Sequence, residues 1–129
     1  MIANEQLIHL RPQIPQAETT EKTTEIESFQ NQTLRPVIKF LNDNLLLAIK
    51  FNLYSFNKNF PSLPFEKKVS KLRTFLEKNQ KIKAFLQGMI LGLMTDEEAI
   101  KYFKNPSEYN KRIMQMIEQR TIDHIDFFK

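Results

Sequence analysis

Arg120 and His124 stand four residues apart near the end of the chain, a spacing that sets both side chains on one flank of a helix. A guanidinium one turn from an imidazole suits anion binding, or proton donation by the imidazole as a general acid. The plainer role is to lie along the edge of the core, beside the stripe Ile113, Met116 and Ile117, with polar tips in water. The nearest carboxylates, Asp123 and Asp126, fall on other faces. A second pattern is electrostatic: between Glu66 and Lys83 seven Lys or Arg face two Glu, and Lys67, Lys68, Lys71 and Lys78 are the candidates for nucleic-acid contact. Such a ridge can follow a phosphate backbone with salt-dependent affinity. A solvated helix face is commonly lysine-rich too, and no exposed aromatic stripe is expected to interleave with this one. Third, Gly88-x-x-x-Gly92 places two glycines on one helix flank. Close packing against the central helix is expected there, and not phosphate binding, because neither a glycine-rich strand-to-helix turn nor a following Lys-Ser/Thr is present.

Other chemistry finds little support. The chain has no Cys, so disulfides, thiolate metal sites and cysteine nucleophiles are excluded. His9 and His124 are the only histidines, so no metal site is expected; Asp96, Glu97 and Glu98 look like ligands but sit where they would cap a helix. No Glu-x-x-His pair and no nucleophile elbow occurs. The expectation is a non-enzymatic protein without a cofactor.

The elements that position these residues are helical. Two Gly, no Trp and an abundance of Lys, Leu, Ile, Asn, Glu and Gln make a turn-poor composition. Residues 1–23, with Pro12, Pro15 and a Thr/Glu-rich stretch, form no helical stripe and are expected to be a mobile arm, whose patch Leu7-Ile8-His9-Leu10 is a further docking candidate. Residues 24–129 make one bundle domain. Thr24 with Glu27 starts a helix running to Leu34, and Pro36 kinks it or begins the next. From Val37 to Phe56 apolar residues cover most of the circumference, with Ile38, Leu41, Leu45, Ala48 and Ile49 turned to the core and a polar strip from Arg35 to Lys50. Further helices begin at Pro64 (apolar face Phe65, Val69, Leu72, Leu76), after Asn79 (Ile82, Phe85, Leu86, Met89, Ile90, Leu93), at Thr95 (Ile100, Phe103) and at Asn105-Pro106 (Tyr109, Ile113, Met116, Ile117). The fold class is all-α, an antiparallel bundle of five to six helices.

The N-terminus lacks the features of a secretory signal, and the longest apolar run, Ala84 to Met94, is about half a membrane span, so a cytoplasmic location is expected. The first 30 residues hold two basic and five acidic side chains, so the remainder carries +7 and suits an acidic partner. Leu46 and Leu53 on the polar side of the central helix, with Leu91 and Met94 off the face of theirs, suggest an apolar surface for a protein partner or a homodimer. RNA or ribosome association through the 67–83 ridge is the alternative.

The strings Asn31-Gln32-Thr33-Leu34-Arg35-Pro36-Val37-Ile38-Lys39-Phe40, Gln87-Gly88-Met89-Ile90-Leu91-Gly92 and Asn110-Lys111-Arg112-Ile113-Met114 resemble an uncharacterised family of short bacterial helical proteins, some of which carry the label glyoxalase. The resemblance covers roughly residues 28–125 and implies a bacterial cytoplasmic origin. Glyoxalase folds are built from paired βαβββ units binding a metal through His, Glu or Gln, and this chain lacks the strand pattern and the histidines, so no functional residue is carried over.

Overall fold

The computed structural model describes residues 4–12 and 24–129, which form helices and turns with no strand among them. The helices are α1 (Asn4–His9), α2 (Glu25–Phe29), α3 (Arg35–Phe40), α4 (Asn42–Phe56), α5 (Phe65–Lys78), α6 (Gln80–Leu91), α7 (Asp96–Lys104) and α8 (Pro106–Asp123). Short 3-10 turns stand at Phe60–Ser62 and Ile125–Phe127.

Local signals account for the starts. The Thr24 hydroxyl accepts from the Glu27 N–H, and the Asn79 side chain accepts from Ile82 N–H. Thr95 and Glu98 form a reciprocal capping box. Pro64 is the cap before α5, one position earlier than expected, and Pro106 opens α8.

Between α2 and α3 the ladder passes through a π-helical stretch, Gln30–Leu34, where Arg35 N–H reaches back to the Gln30 carbonyl. This wider turn precedes the buried Pro36, which has no N–H and whose ring would crowd the preceding carbonyls of a regular α-helix. Leu41, with φ near −88° and ψ near 5°, then bends the chain between α3 and α4 while the bonds from Leu41 to Val37 and from Leu45 to Leu41 persist. The expected central helix is therefore two helices at a bend.

The core is aliphatic at its centre: Leu34, Ile38, Leu45, Ile49, Leu72, Leu76, Leu86, Ile90, Ile113 and Ile117 are all essentially sealed from water. Burial of this kind stabilises by about 1.5–3 kcal/mol per large side chain. Phe60 and Phe128 close one end, their rings 5.9 Å apart, with Tyr54 alongside at 6.1 Å and 6.5 Å. The chain's last residues are stitched to this end: Lys68 Nζ donates to the Phe128 carbonyl at 3.1 Å, and Lys50 Nζ lies 4.8 Å from the Phe127 ring centre.

Several expected faces differ. In α4 the buried residues are Leu45, Leu46, Ile49 and Leu53, and the solvent face carries Asn44, Leu47, Phe51 and Ser55. Asn44 and Asn52 are exposed, although both stand among the apolar residues of this stretch; Asn52 donates to the Ala48 carbonyl. Phe65, Phe85, Ile100 and Phe103, read as core-facing, are exposed, and α7 instead buries Tyr102 with Ala99 against the core. The glycine pair makes no close helix contact: an added Cβ at Gly88 would meet nothing within 4 Å, and at Gly92 only carbonyls of its own helix.

The expected arm is in part a built element. Residues 4–9 are helical, and the Arg11 side chain is 6% exposed, forked onto both Glu98 carboxylate oxygens at 2.7 Å and 2.6 Å and onto the Leu93 carbonyl at 2.8 Å. Asn4 accepts from the Asp96 N–H at the start of α7. The Pro15 and Thr/Glu-rich part of the arm lies outside the described residues.

Candidate functional site

The four residues expected to form an apolar interface do not lie on the surface. Leu46, Leu53 and Met94 are 5%, 3% and 6% exposed and belong to the core, and Leu91 is half-buried against it. A helix with apolar residues nearly all round leaves its rotation open, and neighbouring helices settle it. The large hydrophobic residues left in water are mostly aromatic, with Ile8, Leu10, Leu47 and Ile100 beside them. Of the eleven Phe, seven are exposed: Phe40, Phe51, Phe56, Phe65, Phe85, Phe103 and Phe127. Phe51 and Phe56 on α4 are exposed by 72% and 74%, and Leu47 lies one turn before Phe51 on the same face. α4 packs on α6, whose Phe85 is also largely uncovered.

The basic ridge is exposed at Lys67, Lys71 and Lys78, whereas Lys68 is half-buried and bonded to the Phe128 carbonyl, which removes it from a phosphate-contacting row. Arg73, although exposed, pairs with Glu118 at 3.1 Å, which offsets its charge. Burial pushes the Glu118 carboxyl up, as does the charge of Glu77, against the pull of Arg73. The ridge has aromatic company that the helix pattern did not reveal: Phe75 stands one turn from Lys71, and its ring lies 6.3 Å from that of Phe56.

Arg120 and His124 do share a flank, and they line a cleft of about 510 Å³ between α3 and the last turns of α8. Arg35 and Lys39 from α3 face them across it, the half-buried Met116 supplies apolar wall with the sealed Ile38 at its base, and Asp123, expected on another face, lines it as well. Arg120 Nη1 donates to the Asn42 side-chain oxygen at 3.0 Å, Arg35 Nε to that of Asn31 at 3.0 Å, and Gln119 donates to Asp123 at 2.9 Å. Spacing revealed Arg120 with His124; Arg35 and Lys39 carry no sequence signal linking them to a site some 80 residues on.

Around Glu98 the chemistry is structural. Its carboxylate accepts from Arg11, from the Thr33 hydroxyl at 2.7 Å and from the Thr95 N–H at 2.9 Å, which leaves the group fully engaged. No cluster of three or more His, Cys, Asp or Glu able to hold a metal occurs among the described residues, and none of their helices is long and apolar enough to cross a membrane. Comparison with known proteins returns no match, whether to a family model, to a curated protein or to a solved structure.

Proposed function

We propose that this chain is a non-enzymatic interaction module of the cytoplasm that binds a protein partner through the exposed phenylalanines of α4 and α6. The observation that carries the reading is how the hydrophobic residues divide: aliphatic side chains make the centre of the core, whereas seven of eleven Phe are exposed. Large aromatic side chains supply much of the energy of protein interfaces, and their exposure in a free domain has a cost that a partner would offset. The test is affinity capture from the native cell with wild type and with Phe51→Ser/Phe85→Ser, both of which must fold. A protein retained by the first and lost by the second supports the reading; identical captures reject it. Light scattering at about 0.1 mM decides whether the partner is a second copy.

A second reading is favoured by the Phe56–Phe75 pair beside Lys71: a single-stranded RNA could stack a base there while Lys67, Lys71 and Lys78 follow its phosphates. It requires binding that weakens steeply with salt and weakens again in Lys67→Glu/Lys71→Glu.

A further inference from the structure

We propose that the cleft between α3 and the end of α8 binds a small phosphate monoester, its phosphate held by Arg35, Lys39 and Arg120 and its apolar body resting on Met116. The argument begins with how the five arginines are used. Arg11, Arg73 and Arg112 are each paired with a carboxylate, on Glu98, Glu118 and Glu108. Arg35 and Arg120 are held instead by the neutral side-chain oxygens of Asn31 and Asn42, and these two line the same cleft. An amide oxygen fixes a guanidinium in place without neutralising it, so each keeps its charge and further N–H donors for a ligand.

The charge balance selects the ligand. Arg35, Lys39 and Arg120 face one carboxylate, Asp123, which already accepts from Gln119, so the cleft carries two net positive charges before His124 is counted. A phosphate monoester brings about −1.5 to −2 at neutral pH, with three acceptor oxygens. A single carboxylate would leave part of that charge unmatched. The volume, about 510 Å³, is that of a small-molecule site, and its apolar wall gives the organic part somewhere to rest. A cation in the last turn of a helix is also favourable for the carbonyls there, which accounts for Arg120 at the end of α8 and for Lys39 at the end of α3, but not for Arg35 at the start of α3.

The experiment is a titration of the full chain followed by ¹H–¹⁵N NMR, with phenyl phosphate, inorganic phosphate and phenol as separate probes. Phenyl phosphate should give saturable shifts confined to residues 35–39 and 115–124, with a Kd of about 1 mM or tighter. Inorganic phosphate should bind roughly tenfold more weakly for want of the apolar contact, and phenol should leave the cleft unshifted. Arg35→Gln and Arg120→Gln should each weaken phenyl phosphate about tenfold. Lys39→Gln should weaken it less, and Lys67→Gln on the remote ridge should leave it unchanged. Shifts absent at about 10 mM, shifts spread equally along the 67–78 ridge, or wild-type affinity in the arginine variants would overturn the proposal. If Arg120→Gln, which loses its bond to Asn42, does not fold, Arg35→Gln and Lys39→Gln decide, since both residues are exposed.

Discussion

Burial pushes the Glu98 carboxyl up, but hydrogen bonds from Arg11, the Thr95 backbone and Thr33, together with the charge of Arg11, outweigh it and hold the group at about 2. The folded value thus lies below that of an unfolded glutamate, about 4.3. The ionised group therefore stabilises the fold fully above that value, and the contribution drains away as pH falls toward about 2. Urea midpoints measured from about pH 6 down to about pH 2.5 should decline, and Glu98→Gln should flatten the acidic part of the curve. Arg11→Met leaves a shielded carboxylate without its main partner. It should cost about 3 kcal/mol, the low end for a broken buried pair because Glu98 keeps some exposure, and NMR titration should find the Glu98 value raised. Arg11 itself was not legible in the sequence as an anchor: it stands between the patch Leu7–Leu10 and Pro12 in a stretch without helical periodicity, and its partner is 87 positions away.

Helices were legible in the sequence where their signals are local. Thr24, Asn79, Thr95 and Pro106 act within one turn of themselves, and each marks a helix start in the structure. Faces were less legible, because which side of a helix is covered depends on its neighbours. In α4 the run Leu45-Leu46-Leu47-Ala48-Ile49 satisfies a core-facing stripe at more than one rotation, and Leu46 and Leu47 therefore make a direct check. Leu46→Ala should lose about 2–5 kcal/mol and Leu47→Ala less than about 0.5 kcal/mol in urea denaturation. Gly88 is a second check: it lies inside α6 with open space where a Cβ would stand, so Gly88→Ala should raise stability by about 0.5–1 kcal/mol. An unchanged or lowered midpoint would mean that Gly88 is covered by something that tolerates no methyl group. The cleft was half legible for the same reason as the faces: one helix contributes Arg120 and His124 at a readable spacing, and the bend at Leu41 sets where α3 brings the other cations.

At the scale of the whole molecule, the described N-terminal segment and the C-terminal one are both tied to distant parts of the chain. Arg11 reaches Glu98, and Phe128 seals the end of the core where Phe60 and Tyr54 wait for it. Phe128→Ala should cost about 3–5 kcal/mol, near what an interior aromatic loses, and the loss should appear as a lowered melting temperature with the remaining helices retained by circular dichroism. Phe127→Ala next to it, partly exposed, should cost much less. The Phe60–Phe128 contact also has a bearing on biosynthesis. Translation proceeds from the N-terminus, so Phe60 and the inner face of α5 emerge long before the ring that covers them. Until position 128 has left the exit tunnel that end of the core stays uncovered in the nascent chain, and helices made earlier hold an open apolar face while they wait.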